Sequence, residues 1–188
     1  MTRREGLAAL LASHAPADER EAGFVGAMHA LLGLDRDPFS RATFDPGHFT
    51  ASAFVLSPAE DAVLLVFHGK LHRWLQPGGH VDPEDLDVIA AARREVAEEV
   101  GLDRVDVLGS GLFDVDVHEI PPLKGDPPHR HYDLRLLLRS PTLAFEAGSD
   151  AKAAKWVALD RVEEEDTDES VLRAVRKLRW RGRGDISG

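Results

Sequence analysis

Apolar residues near the start of the chain recur every three or four positions, which is the spacing of an amphipathic helix. They mark two helical segments between residues 3 and 33, and Gly33 is placed to end the second. Residues 35–47 contain two prolines and a glycine, which indicates a linker. We therefore predict a helical extension with its linker over residues 1–47. The helical pattern is carried by Leu7, Leu10, Leu11, Phe24, Val25, Met28, Leu31 and Leu32.

From residue 49 onward the apolar pattern shortens into runs that are typical of strands. Some runs are apolar throughout, as in strands covered on both faces, and others alternate with polar residues. One helical pattern lies between these runs, and another, from Val171 to Leu178, follows them. Strands on both sides of a helix, with a second helix at the end, predict an α/β fold with a mixed sheet between helices. The predicted strands cover residues 49–56, 63–67, 105–107, 112–120, 132–139 and 153–159.

The helix between the strands carries three carboxylates on one face. Glu95, Glu98 and Glu99 stand at i, i+3 and i+4, so their side chains project to the same side. Like charges at this spacing repel each other by roughly 0.3 kcal/mol per pair in water, so a positive partner is expected. Oxygen ligands in a chain without cysteine favour a hard divalent ion, Mg²⁺ or Mn²⁺. The alternative is a solvated helix face whose partners are Arg93 and Arg94.

Residues on both sides of this helix are suited to start and end it, and a glycine loop precedes it. Asp87 is the candidate N-cap, and Gly101 is the residue expected to end the helix. Gly78 and Gly79 follow a proline upstream of the helix. Because they lack side chains, their backbone amides and carbonyls can approach a metal ion or a phosphate closely. Alone, such a Pro-Gly-Gly sequence indicates little more than a turn.

Taken together, residues 79–102 closely resemble the Nudix box. The second half of that motif, Arg-Glu-apolar-x-Glu-Glu-x-Gly-apolar, matches residues 94–102 without a mismatch. The first half departs from the motif, because the loop is one residue longer and the motif's first glutamate is replaced by Asp85, or by Glu84 in another alignment. We place the extra residue in the loop, ahead of the helix, so that the carboxylate face stays intact.

The resemblance implies a Nudix-like α/β/α sandwich over residues 48–181, with residues 182–188 as a frayed tail. It also implies metal-dependent hydrolysis of the pyrophosphate bond in a nucleoside diphosphate linked to another group, such as a nucleotide sugar, ADP-ribose or an NTP-like compound. Mg²⁺ or Mn²⁺ would be the cofactor. The implied site consists of catalytic Glu95, Glu98, Glu99 and Arg94, metal ligands at the same three glutamates and at Gly79, and a substrate contact at Gly78.

The resemblance leaves the catalytic base open, because in the family this role belongs either to a box glutamate or to an acid on a later loop. The later candidates are Glu119, Glu146 and Asp150, each of which is an ordinary surface charge in the alternative interpretation. A non-catalytic nucleotide-binding or regulatory domain is a second possible function, but such domains tend to lose box carboxylates that this chain retains. A prenyl-diphosphate isomerase of the same fold relies on a cysteine, which this chain lacks.

Two of the predicted strands carry polar residues on one face. Alternation places the polar residues from Asp114 to His118 on one side of the first strand. The proline-rich loop between the strands permits an antiparallel pair that brings His118 near His131. Such groups could bind phosphate or ribose, or hold an additional metal. We hypothesise that His131, Asp133 and Arg135 border the substrate cleft, with Arg135 contacting a phosphate; the alternative is a solvated sheet face.

Composition limits the classes of partner. The net charge of −10 argues against binding to a nucleic-acid polymer or to an anionic membrane. No apolar run reaches the length of a membrane span, no signal-peptide pattern opens the chain, and the lack of cysteine weakly favours the cytoplasm. We therefore expect a cytoplasmic protein that acts on a small nucleotide-type molecule. The N-terminal helices could cover that molecule, form the surface of a homodimer or pack on the sheet, and packing is favoured.

Overall fold

The computed structural model describes residues 1–69, 71–122, 125–146, 148 and 153–184, with side chains as far as Arg181. No helix in these ranges is both long enough and apolar enough to cross a membrane. The helices are α1 (Arg3–Ser13), α2 (Glu19–Leu32), α3 (Val88–Val100) and α4 (Glu169–Gly184), with a 3₁₀ turn at Val162–Glu164. The strands are β1 (Gly47–Leu56), β2 (Ala62–His68), β3 (Arg73–Leu75), β4 (Gly78–His80), β5 (Asp106–Val107), β6 (Asp114–Ile120), β7 (His129–Arg139) and β8 (Ala154–Ala158).

One mixed sheet contains all of these strands. Its central strands, β1 and β7, run parallel over the ten residues of β1, from the pair Gly47 and Arg130 to the pair Leu56 and Arg139. The other described pairs are antiparallel: β2 and β4 flank β1, β3 and β8 flank β2, and β5 and β6 flank β7. The predicted α/β fold, with a mixed sheet between helices, is confirmed.

The two faces of the sheet pack against different helices. On one face, Leu134 of β7 belongs to the same buried cluster as Val96 of α3, and we call this the α3 face. On the other face, Phe54 and Leu137 belong to a second buried cluster with Val175 of α4, and we call this the α4 face. Because successive side chains of a strand point to opposite faces, the even-numbered residues of β7 face α3 and the odd-numbered residues face α4.

The N-terminal helices are part of the main core. Leu7 and Leu11 of α1 and Met28 and Leu31 of α2 are at most 1% exposed and belong to the cluster on the α3 face. Burial of side chains of this size contributes on the order of 2 kcal/mol each, relative to leaving them in water. The favoured prediction that these helices pack on the sheet is therefore confirmed.

Strand β4 is the main difference from the elements predicted, because a loop was expected at Gly78 and Gly79. The two glycines instead pair with β1, where Gly79 stands opposite Ala51 and Gly78 opposite Ser52. Glycine permits this close pairing, since a Cβ atom at residue 78 would lie 2.3 Å from the Cβ atom of Ser52. Residues without side chains give no hydrophobic period, so periodicity could not identify β4.

The boundaries of α3 are those that its capping residues predict. The side chain of Asp87 accepts a hydrogen bond from the amide of Ala90 at 2.8 Å, as an N-cap does. Gly101 adopts the left-handed conformation, with a φ of 66°, and ends the helix. The helix is continuous from Val88 to Val100, so the extra residue of the box lies ahead of Asp87, as predicted.

Two other elements are longer than predicted. Strand β7 begins at His129 rather than at Tyr132, so the proline-rich connection from β6 is shorter and more of the polar residues belong to the strand. Helix α4 continues to Gly184, which takes it into the predicted tail over residues 182–188. The rest of that tail, residues 185–188, lies outside the described residues.

The guanidinium of Arg135 is buried on the α4 face among three carboxylates. Its side chain is 2% exposed and lies 2.8 Å from Asp133, 3.2 Å from Asp114 and 3.6 Å from Asp116. Its Nη2 also donates to the hydroxyl oxygen of Ser170, at the start of α4, at 2.8 Å. Burial alone would lower the pKa of Arg135, but the three carboxylates raise it more, so the net shift is upward. Arg135 is therefore an internal cation that links β6 and β7 to α4.

This position corrects the expectation that His131, Asp133 and Arg135 border a cleft beside the box helix. All three are odd-numbered residues of β7, so their side chains point to the α4 face, away from α3. Asp133 also accepts hydrogen bonds from Thr50 at 3.1 Å and from Ser52 at 2.8 Å, so its carboxylate is occupied within the sheet. Strand alternation placed the three residues on one face correctly, but it carries no information about which helix covers that face.

We expect Arg135→Ala to destabilise the protein by about 3–5 kcal/mol, because the variant removes the arginine that pairs with the buried carboxylate of Asp133 and leaves Arg173 as the remaining arginine beside Asp114 and Asp116. Urea unfolding at pH 7 measures this change. Arg130→Ala is the matched control on the same strand, since Arg130 is exposed and lies 3.5 Å from an exposed Glu119. The control should change stability by less than about 0.5 kcal/mol. Equal stability of the two variants would contradict the role given to Arg135.

Glu21 links the N-terminal helices to α4. Its buried carboxylate lies 2.8 Å from Nε2 of His14, and accepts hydrogen bonds from the amide of Ala17 at 2.7 Å and from Nζ of Lys177 at 2.6 Å. Burial alone would raise the pKa of Glu21, but these hydrogen bonds and the charge of Lys177 lower it from 4.5 to about 2. The folded state therefore favours the ionised carboxylate.

Since the pKa of Glu21 is lower in the folded state than in the unfolded chain, its stabilising contribution is complete above pH 4.5 and is lost as the pH falls toward 2. A shift of this size corresponds to about 3 kcal/mol. We expect Glu21→Gln to lower the free energy of unfolding by that order at pH 7 and by clearly less at pH 3, as measured by urea unfolding. Glu19→Gln, at an exposed position in the same helical turn, is the control and should have a small effect at both pH values. A cost for Glu21→Gln that does not depend on pH would refute this assignment.

Candidate active site

The three glutamates predicted to hold a metal lie where α3 packs against β4. The carboxylate of Glu99 accepts a hydrogen bond from the amide of Gly78 at 3.1 Å. The carboxylate of Glu95 lies against Gly79, because a Cβ atom at residue 79 would be 2.5 Å from Oε1 of Glu95. The side chain of Glu98 is 58% exposed, so solvent reaches this end of the group. The helix thus presents its carboxylates to the two glycines of β4, which have no side chains.

Arg94 connects α3 to the loop that precedes it. Its Nε and Nη2 donate to the two carboxylate oxygens of Asp85 at 3.1 and 3.0 Å, which is a bidentate pair. Nη2 also donates to the carbonyl of His80 at 2.9 Å, and Nη1 donates to Glu95 at 2.9 Å and to Glu98 at 3.0 Å. These contacts, the hydrogen bond to Asp85 first, raise the pKa of Arg94. One guanidinium therefore holds the loop, β4 and two of the glutamates in position.

Asp85 occupies the place of the motif's loop glutamate. Its side chain is 7% exposed and accepts a hydrogen bond from the amide of Asp82 at 2.8 Å in addition to those from Arg94. Glu84, the alternative candidate, is exposed. The prediction that one of these two acids lies within reach of Arg94 is confirmed, and the residue is Asp85.

The electrostatics of Glu95 suit a group that binds cations. Burial raises the pKa of Glu95 above 4.5, and the charges of Glu98 and Asp82 add to that shift, whereas Arg94 opposes it. A divalent cation among these oxygens would stabilise the ionised carboxylates. The available donors are carboxylate and backbone oxygens, which fit Mg²⁺ or Mn²⁺ rather than a softer ion. The residues that could hold the ion are Glu95, Glu98, Glu99 and, through its backbone, Gly79.

The candidates for a base outside the box differ in position. The amide of Glu146 donates to the carbonyl of Val100 at 3.0 Å, so this residue lies at the C-terminal end of α3. Glu119 is exposed on β6. Asp150 lies outside the described residues. Of the candidates that the structure describes, Glu146 alone adjoins the helix that carries the box glutamates.

The pairing of β6 and β7 places His118 opposite His131, as predicted, with ring centroids 5.6 Å apart. Three more histidines lie around His131, with centroids at 4.9 Å for His48, 5.4 Å for His80 and 5.2 Å for His129. We call these five residues, which come from four strands, the histidine cluster. It lies at one end of the α4 face.

Burial favours the neutral form of three residues of the histidine cluster. Together with the charges of neighbouring histidines, it lowers the pKa of His131 to about 2 and that of His80 to about 4, and burial also lowers the pKa of His48. The sequence-based prediction identified His118 and His131 but missed His48, His80 and His129. His48 stands two residues before Thr50 in β1, so strand periodicity places both on one face and could have identified His48. His80 belongs to β4, the strand that periodicity could not identify.

Comparison with known proteins agrees with the motif. The human protein "Diphosphoinositol polyphosphate phosphohydrolase 3-alpha" is 36% identical over 99 residues, which are 50% of this chain and 55% of that protein. The chain therefore spans about half the length of the curated relative that it matches.

Solved structures show the same fold. A NUDIX-family hydrolase from Clostridium perfringens has a TM-score of 0.55 at 24% identity, over 71% of this chain and 97% of that chain. An Ap4A hydrolase from C. elegans has a TM-score of 0.55 at 21% identity, over 72% and 98% of the two chains. The NUDIX domain family itself matches residues 46–178, a range that contains the whole sheet, the box helix and most of α4. The chain belongs to the NUDIX domain family.

Proposed function

We propose that the protein is a Nudix-type pyrophosphohydrolase that uses Mg²⁺ or Mn²⁺ to cleave a nucleoside diphosphate linked to another group. The observation that carries this proposal is the arrangement around Arg94, which holds Glu95 and Glu98 toward β4 while the amide of Gly78 holds Glu99. This arrangement unites a set of oxygen ligands with a glycine backbone that a phosphate chain can approach.

The names of similar proteins support the class of bond that we propose the protein cleaves. The human relative is named for diphosphoinositol polyphosphates, the C. elegans protein for Ap4A, and a NUDIX domain from Shewanella oneidensis was solved with ADP ribose. Each of these compounds contains a phosphoanhydride bond flanked by different groups. We propose that the site recognises this shared bond.

Each residue of the site has a distinct part in the proposed reaction. Glu95, Glu98 and Glu99 would hold the ion, which when bound neutralises phosphate charge and lowers the pKa of a coordinated water. Gly78 and Gly79 let the phosphates approach the backbone. Arg94 is a positioning residue that sets the geometry of two glutamates. The proton of the attacking water is accepted either by a box glutamate or by Glu146, which lies beside the helix. Among the box glutamates, Glu95 has a raised pKa.

We expect Glu98→Gln and Glu99→Gln each to lower kcat/KM by about 100-fold or more at limiting Mg²⁺, because each removes ligand charge from a hard-ion site. Release of phosphate or nucleoside monophosphate from ADP-ribose, a dinucleoside polyphosphate, a nucleotide sugar and a diphosphoinositol polyphosphate is the measurement. Glu84→Gln, which removes the same charge from the exposed loop, serves as the control. Activity close to that of the unmodified protein in both box variants would rule out this set of ligands.

The substrate panel also tests the alternative function. Turnover of at least one compound is expected for the unmodified protein with Mg²⁺. If calorimetry detects binding of a nucleotide but no compound is hydrolysed with either ion, the protein is a non-catalytic nucleotide-binding domain. That outcome would overturn the proposed activity.

A separate prediction concerns Asp85. Removal of its charge takes away the bidentate partner that holds Arg94, while the metal ligands stay in place. We expect Asp85→Asn to lower kcat/KM by about 10–100-fold, the usual size of an effect exerted through a supporting residue. The adjacent Glu84→Gln should leave kcat/KM within about twofold of its original value, since Glu84 is exposed. Similar kcat/KM values for the two variants would contradict the assignment of Asp85 as the loop acid.

A further inference from the structure

His80 is the one residue of the histidine cluster that belongs to the box, and none of the five imidazoles has a part in the proposed hydrolysis. Within the cluster, His48, His80 and His131 each offer one ring nitrogen, and these three atoms lie within 4.8 Å of one another. The three residues come from β1, β4 and β7, so the grouping depends on the tertiary fold and is not a local repeat of histidine. Three converging imidazole nitrogens are a frequent ligand set for zinc.

His48 supplies the strongest indication of a ligand. Its side chain is 1% exposed, and its Nδ1 lies 3.1 Å from the carbonyl oxygen of Thr43. Since a carbonyl only accepts hydrogen bonds, Nδ1 carries the proton and the lone pair is on Nε2. That Nε2 atom is buried and has no hydrogen-bond partner among the described residues. A backbone carbonyl bound to the far ring nitrogen is also the usual support of a histidine that ligates a metal.

The geometry allows the three rings to converge on one ion. Tetrahedral coordination with Zn–N bonds of about 2.0–2.1 Å requires nitrogen atoms separated by about 3.3 Å. His48 is held by its hydrogen bond, whereas His80 and His131 are partly exposed, and Nε2 of His131 lies 3.3 Å from Nε2 of His129. Convergence on one ion requires small rotations of the His80 and His131 rings. Their exposure also opens the group to solvent, so that an ion can reach it.

We propose that His48, His80 and His131 form a site for a divalent late transition metal such as Zn²⁺, separate from the carboxylate site. Imidazole nitrogen binds Zn²⁺, Ni²⁺ and Cu²⁺ well, whereas Mg²⁺ and Mn²⁺ prefer the oxygen ligands of the box. Three protein ligands leave a fourth position for water. The ion would link the central strands to β4, and the carbonyl of His80 is itself held by Arg94. The proposal does not depend on the proposed hydrolysis.

Titration of the metal-free full chain with Zn²⁺, in an excess of Mg²⁺ that saturates the carboxylate oxygens, tests the site by calorimetry. We expect one Zn²⁺ per chain, a rise in Tm on binding, and a tetrahedral visible spectrum when Co²⁺ replaces Zn²⁺. His80→Gln and His131→Gln should each weaken Zn²⁺ binding at least tenfold, because loss of a direct ligand costs no less than loss of a supporting residue, about 10–100-fold. His29→Gln, at an exposed position on α2, is the matched control and should bind as the unmodified protein does.

Two further variants make the outcome unambiguous. Because His48 is buried, His48→Gln is interpreted only if its circular dichroism matches that of the unmodified protein, and the conclusion rests on the two partly exposed residues. Glu98→Gln should retain Zn²⁺ binding even though it loses hydrolysis, which separates this proposal from the proposed function. Absence of stoichiometric Zn²⁺ binding would overturn the site. So would unchanged affinity in His80→Gln and His131→Gln, or a loss of Zn²⁺ in Glu98→Gln as large as in His131→Gln.

Discussion

The position of the Arg94 guanidinium is the constraint on which the site depends. Three separate parts of the chain meet at this group: the loop through Asp85, strand β4 through the carbonyl of His80, and helix α3 through its glutamates. Each contact involves a charged donor, and such hydrogen bonds are roughly twice as strong as neutral ones. Without this cation, acids of the loop and of the helix would face one another across a partly buried space. The same group therefore makes the crowding of carboxylates tolerable and determines where they point.

The α4 face of the sheet also contains polar groups, which lie buried beneath a helix. Its middle contains a network of buried ions centred on Arg135, which pairs with Asp133 and Asp114. Two buried atoms of this network, Nε of Arg173 and Oε1 of Gln76, have no hydrogen-bond partner among the described residues. Its end contains imidazoles: burial lowers the pKa of His131 and of His80, and Nε2 of His48 has no hydrogen-bond partner in the described part of the chain. Buried polar groups in folded proteins are nearly always paired, so a buried nitrogen without a partner that converges with two other imidazoles is the feature on which the proposed metal site depends. The ions around Arg135 stabilise the fold, whereas the histidines supply the ligands of the proposed site.

Features that depend on neighbouring residues could be predicted from the sequence, and features that depend on pairing between distant strands could not. Asp87 and Gly101 act on the backbone within one turn of helix, so the limits of α3 followed from capping rules alone. The pairing of His118 with His131 followed from alternation and a connecting loop. By contrast, His80 joins the cluster only because β4 pairs with β1, and two glycines conceal that strand. Arg135 shows the same limit, since the period of a strand defines two faces without assigning a helix to either.

The parallel pair of β1 and β7 also makes the folding of this protein depend on contacts between distant parts of the chain. The two strands are neighbours along their whole length in the sheet, yet the box, α3, β5 and β6 all lie between them in the chain. Contacts between such distant segments form late, because a long loop must first be closed. During synthesis from the N-terminus, the box helix emerges well before the strand that completes the surface beneath it. The apolar face of the box helix therefore has its complete buried surface only once β7 has joined the sheet.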